Sequence, residues 1–196
     1  MNRPPARPDL ARDLLVRADT ARTHHARLLR GLLGADEIGR GRHLQHANAQ
    51  VLRRVIANHG WPGRDLVGMR GSEAALWIAL HADHLPDLQR AVLRLLHTAA
   101  EEGPATRRQW AHLHDRCSIR SGRLQTYGTQ YQLGPHGIEP LPVRDPARLD
   151  ARRAQVGLRP AATALNHLRH RIARTLHGAE LRDEDDTRPE IRSIAA

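Results

Sequence analysis

Residues 10–34 read LARDLLVRADTARTHHARLLRGLLG, and Leu10, Leu14, Ala18, Ala21, His25 and Leu28 fall three or four apart. That spacing puts them on one face of an α-helix, which Gly31 or Gly34 would end. The same period continues outward. A second helix is predicted from Asp36 to Asn58 through Ala47, Val51, Val55 and Ile56, after which His59-Gly60-Trp61-Pro62-Gly63 breaks the pattern as a structured turn. Ser72 beside Glu73 should open a third helix running through Trp77 to about Asp83, and Pro86 suits the first turn of a fourth reaching Ala100. Pro104 or Thr106 begins a fifth, ending at Asp115-Arg116. Asp145-Pro146 starts a sixth that Gly157 stops, and Pro160 starts a seventh running to about His177.

Between Cys117 and Val143 the helical period disappears, and Gly122, Gly128, Gly134 and Gly137 alternate with polar side chains. The expectation is a mainly α fold: a single helical domain, residues 9–178, of about six to seven helices. It carries a small irregular or β-hairpin insertion around 117–143. Residues 1–8 are expected to be a flexible N-terminus and 179–196 a disordered tail, because acids, Pro189 and small residues fill the latter.

At 196 residues the chain can bury one sizeable core. It contains neither Phe nor Lys, so the core falls to Leu, Ala, Val and Ile, with Trp61, Trp77 and Trp110 as large anchors. All the formal positive charge is arginine, giving a net +10 and a pI near 11.4. Such a balance suits nucleic acid or an acidic ligand. Acids interrupt the arginines and aromatic stacking residues are few, so a GC-rich coding bias explains the charge better than a dedicated nucleic-acid surface. Cys117 is the only cysteine, which excludes an internal disulfide and fits a reducing, cytoplasmic setting. The longest apolar run, Ala74 to Leu80, is too short to span a bilayer, so no membrane role is expected.

Several polar groups lie where a core would not need them. Gln125-Thr-Tyr-Gly-Thr-Gln130 offers amide, phenol and hydroxyl groups around one glycine, and Asp115-Arg116 lies ten residues upstream. Strand alternation would send Gln125, Tyr127 and Thr129 to one face and Gln130 to the other, so a shared site requires Gly128 to break the alternation. Arg116 could fork onto an anion or cap the end of its helix, and Asp115 could hold it or act as a base. On an unbroken helix Trp77, His81, His84 and Leu88 would share a face, which makes His81 the candidate general base, although a packed histidine is the simpler reading. A metal held by His81, Asp83 and His84 is a weaker alternative, because fourteen histidines make chance pairs common. His112 and His114, two apart, should point to different sides of their helix.

Taken in order, His59-Gly-Trp-Pro62, His81-Ala-Asp83, Asp115-Arg116, Gln125-Thr-Tyr-Gly-Thr-Gln130 and the Asp150-x-Arg152-Arg153-x-x-x-Gly157-Leu158 stretch resemble a bacterial family catalogued only as a domain of unknown function. The resemblance covers roughly residues 43 to 165. That family has Gln where this chain has Leu80 and Asp where it has Leu85. It implies a helical domain in which these motifs are gathered, and it supplies no reaction.

The expected function is therefore a small cytoplasmic enzyme or ligand-binding domain acting on a small anionic metabolite or peptide. His81, Asp115 and Tyr127 are the catalytic candidates. His59, Trp61, Arg116, Gln125, Thr129 and Gln130 are the binding candidates. The alternatives are an arginine-rich nucleic-acid binder, densest at Arg152-Arg153 and Arg169 to Arg174, and a non-catalytic interaction domain. Oligomeric state is not legible.

Overall fold

A computed structural model of the protein describes residues 4–134, 137–176 and 190–192. The fold is mainly α, with seven α-helices and an antiparallel hairpin among the described residues. The chain forms two compact units, Met1–Trp110 and Ala111–Ala196.

The first unit is built from α1 (Pro8–Leu29), α2 (Ala35–His59), α3 (Arg64–Leu80), α4 (Pro86–Glu102) and the first turn of α5 (Arg107–Arg120). Pro86 occupies the first turn of α4 and Gly60 closes α2, as expected; Pro8, expected in the flexible stretch, occupies the first turn of α1, and Gly103 closes α4 slightly beyond the expected Ala100. Leu14, Ala18 and Ala21 of α1 pack mainly on α3, where every residue from Ala74 to Leu80 is buried. A helix apolar all round is one surrounded by neighbours. Leu52, Val55, Leu88, Val92 and Leu96 complete the core.

The start of α3 differs from expectation. A first turn from Arg64 is interrupted at Gly68, whose φ of 73° and ψ of 169° are not helical and are open to glycine at little cost, and the helix resumes after it, a few residues before Ser72. Ser72 is not a cap; it lies buried and its hydroxyl accepts from Gln109 Nε2 at 3.2 Å. Gln109 itself belongs to a reciprocal cap of α5, because Thr106 Oγ1 accepts from Gln109 N at 3.1 Å and Gln109 Oε1 accepts from Thr106 N at 3.0 Å. At the N-terminus, Ala6 N and Arg7 N donate to Asp65 O and Leu66 O at 3.0 and 2.8 Å, so these two residues of the expected flexible stretch are tied down. Residues 1–3 lie outside the described set.

The second unit takes up the rest of α5, then β1 (Gln130–Gly134), β2 (Gly137–Pro140), α6 (Leu149–Gln155), α7 (Ala161–Leu176) and β3 (Glu190–Arg192). Helix α5 continues through Cys117 to Arg120, so the insertion expected from 117 starts about four residues later. β1 and β2 form the hairpin, in register Tyr131 with Pro140 and Leu133 with Ile138. Tyr131, Ile138 and Leu168 form its core, with Leu165 and Ile172 packed against them, so α7 covers one face of the hairpin. The strand order is β2-β1-β3. Of the tail expected from 179, Glu190–Arg192 is a strand parallel to β1, and the rest lies outside the described residues. No helix among the described residues is long and apolar enough to cross a membrane.

Candidate functional site

In the second unit, the last turns of α5 carry His114, Asp115 and Arg116 to the polar segment 125–130. The side chain of Asp115 is fully buried, and its carboxylate gathers the backbone of that segment. Oδ1 accepts from Thr126 N at 2.8 Å and from Tyr127 N at 3.1 Å. Oδ2 accepts from Tyr127 N at 3.1 Å, and from Thr129 N and Thr129 Oγ1 at 3.0 Å each. Gly128 makes this possible: at φ 62° it turns the backbone so that the amides on both sides of it converge on one carboxylate. The alternation is thus broken at the glycine where a shared site required it, and Gln125, Thr129 and Gln130 are all buried.

The carbonyl side of the loop is held by α6. Arg152 Nε donates to Thr126 O at 2.9 Å, and Arg153 Nη1 donates to Tyr127 O at 2.6 Å and Gly128 O at 3.1 Å. The arginine fork suits this task because one planar group can serve several carbonyls. Arg153 Nε also donates to Arg159 O at 2.6 Å, while the Asp150 carboxylate accepts from Ala161 N at 2.8 Å, at the positive end of α7. The Asp150 to Leu158 motif is therefore a clamp on the Tyr127 loop.

Gln125 behaves like an extra peptide unit inside the fold. Its Nε2 donates to Gln130 O at 3.1 Å and Leu141 O at 2.6 Å, and its Oε1 accepts from Gln130 N at 2.9 Å. Gln130 Oε1 accepts from Arg116 Nη1 at 3.3 Å, and Gln130 Nε2 donates to His112 O at 3.4 Å. Arg116, 5% exposed, holds Gln130 within the unit.

What this framework presents outward is Tyr127, which is half-buried. The ring of His114 meets it edge-on, with centroids 5.6 Å apart, and His114 Nδ1 lies 3.5 Å from Asp115 Oδ1. Burial, and then the Asp115 charge, raise the Tyr127 phenol above its ordinary value, while Arg152 and Arg144 pull it down. Arg144 is exposed, so a guanidinium faces solvent within electrostatic range of the phenol.

A model of a family of unknown function, DUF6624, matches residues 9–173. The chain belongs to this family. Neither the curated proteins nor the solved structures contain a match. The DUF6624 match takes in both the Asp115 loop and its Arg152-Arg153 clamp.

The remaining candidates lie in the first unit of the DUF6624 chain. The ring of His81 stacks on Trp77 at 3.6 Å between centroids, and its Nδ1 donates to Trp77 O at 2.8 Å. Helix α3 ends at Leu80, so His81 and His84 are not on one continuous helix face as expected. His84 instead faces His46 at 5.2 Å, and Asp83 accepts from Gln89 Nε2 at 3.2 Å. Among the described residues no trio of His, Cys, Asp or Glu is placed to hold a metal ion. His59 is exposed and lies 3.3 Å from Arg7 Nη1, while Trp61 is buried with its indole N–H unpaired.

His114 did not enter the candidate site from the sequence because, two residues from His112, it points to another side of the helix and makes no pair with it. The signal available was its adjacency to Asp115. Arg152 and Arg153 stand out in the sequence within the Asp150 to Leu158 motif and as a dense arginine pair, but nothing in a sequence distinguishes an arginine facing water or nucleic acid from one capping carbonyls.

Proposed function

We propose that this chain is a small cytoplasmic ligand-binding domain for an anionic metabolite or peptide, with its binding face at the Tyr127 loop of the second unit. The observation that carries this reading is the two-sided anchoring of Thr126–Thr129. Buried Asp115 takes the loop's amides, and Arg152 and Arg153 take its carbonyls. A loop so held presents Tyr127 against His114 in a fixed arrangement, with the exposed Arg144 close enough to act on the phenol by its charge, and a preorganised group loses little entropy when it binds. Tyr127 and His114 offer hydrogen bonds, and Arg144 supplies the charge that favours an anion.

Binding is better supported than turnover. Each Asp115 oxygen already accepts from the loop, so Asp115 positions groups and is not available as a base. Arg116, engaged with Gln130, is likewise a framework residue, and its expected role of holding an anion passes to Arg144. Placement in the cytoplasm draws on the single buried Cys117.

The test is a thermal-shift panel of carboxylated and phosphorylated metabolites and acidic peptides, repeated with Tyr127→Phe and Arg144→Ala. A ligand that stabilises the wild-type chain should lose about tenfold in affinity when one charge-assisted contact is removed. Ligand responses that are unchanged in both variants would overturn the assignment.

A further inference from the structure

The middle strand of the small sheet has one neighbour from within the family-matched region and one from beyond it. The match ends at residue 173, whereas β3 comprises Glu190–Arg192. β3 runs parallel to β1, pairing Gln130 with Glu190, Tyr131 with Ile191 and Gln132 with Arg192. Without β3, the outer edge of β1 would present unpaired backbone groups, the template on which β-augmentation builds. That edge begins where the anchored loop ends, since Thr129 is followed directly by Gln130 of β1.

The β3 pairing is weak by its own geometry. Three residues make a short strand, and parallel ladders are slightly less stable per residue than antiparallel ones. A segment on the same chain compensates through its high effective concentration. An untethered peptide must then compete with this internal occupant.

We propose that the β1 edge is an acceptor site for an extended peptide added in the parallel sense, and that Glu190–Arg192 is the chain's own segment occupying it. This rests on the peptide arm of the proposed function. A strand in this register has its N-terminal end on the Thr129 side of β1, so a longer peptide continues toward the Tyr127 loop. The occupant the edge fits is a free polypeptide segment carrying Glu190-Ile191-Arg192, the stretch whose backbone pairs with β1 in this chain.

The probe is a fluorescein-labelled peptide of residues 187–196, with binding read by anisotropy on the full chain and on its Arg192→Pro variant. Leu141 N donates to Gln130 O, so the even residues of β1 face β2 and Tyr131 faces β3, where in a parallel ladder the N–H of Arg192 serves it. Proline cannot donate to the ladder, so the variant's own tail is disabled as a competitor. The peptide should bind Arg192→Pro about tenfold or more tightly than wild type, the internal competitor being gone. A peptide carrying the same proline should not bind. Glu190→Pro serves as a second variant, and an unchanged far-UV spectrum establishes that each chain is folded. Absence of peptide binding to both proline variants, or equal affinity for variant and wild type, would overturn the proposal. A wild-type dimer in sedimentation that the proline variants abolish would also overturn it, by placing the tail on a second copy. The anion reading is tested separately by the response of Arg144→Ala to metabolites, so either can fail while the other stands.

Discussion

Asp115 gives the most exacting test of how the loop is held. Four donors converge on its buried carboxylate: the amides of Thr126, Tyr127 and Thr129, and the Thr129 hydroxyl. In Asp115→Asn, one oxygen can retain Thr126 and Tyr127 while the new NH2 group faces Thr129 N–H, donor against donor. The hydroxyl can rotate to accept, but the amide cannot. At roughly 1 kcal/mol for each lost bond and 1–3 kcal/mol for a stranded buried donor, the cost is about 2 kcal/mol. Asp115→Ala strands all four donors and should cost about 4 kcal/mol, the upper part of what a single substitution does. Denaturant unfolding followed by far-UV circular dichroism measures the graded loss. Amide hydrogen exchange at Thr126, Tyr127 and Thr129 locates it, with Thr129 expected to lose protection first in the Asn variant. An Asn variant within about 0.5 kcal/mol of wild type, or unchanged exchange at Thr129, would refute the account of the carboxylate as the loop's anchor.

Gly128→Ala should destabilise by about 1–2 kcal/mol in the same unfolding experiment, because φ 62° is costly for an L side chain and the added Cβ would meet Leu149 and Val143 at 3.3–3.4 Å. Arg153→Lys should cost about 2–3 kcal/mol, since an ammonium cannot reach Tyr127 O, Gly128 O and Arg159 O together; a loss no greater than that of an exposed arginine such as Arg148 would contradict the clamp. His84 carries a pH dependence: burial lowers its imidazole from the ordinary 6.5, repulsion from His46 adds to this, and Asp83 opposes it. The unfolded chain therefore takes the proton more readily, and stability present above about pH 6.5 is lost as the pH falls below it. Melting temperatures measured from about pH 7 to pH 5 should fall less steeply in His46→Gln than in wild type.

The helices were legible because proline and glycine punctuate them, and Pro8, Gly60, Pro86, Gly103 and Gly157 lie at or beside their ends. The start of α3 was not, because the break falls at Gly68, about one turn before Ser72, and Ser72, a residue type that caps, is used here as a buried hydrogen-bond acceptor. The polar segment 125–130 stood out by composition, and so did its link to Asp115. Roles did not, because a carboxylate bound to backbone amides leaves no pattern in the side chains it serves. The same limit applies to Gln125, whose partners are backbone groups of Gln130 and Leu141.

Aromatic residues are so few that their distribution labels the molecule. Trp61, Trp77 and Trp110 all belong to the first unit, and Tyr127 and Tyr131 to the second. Indole emission therefore reports on the first unit and the tyrosinate difference spectrum on the second, since indole does not ionise, with no engineered dye. The stacking of His81 on Trp77 adds a built-in quencher to the first signal, and the raised phenol of Tyr127 separates the tyrosinate signal from that of an ordinary tyrosine. Whether the two units melt together or in sequence can thus be read from a single unlabelled sample at two wavelengths.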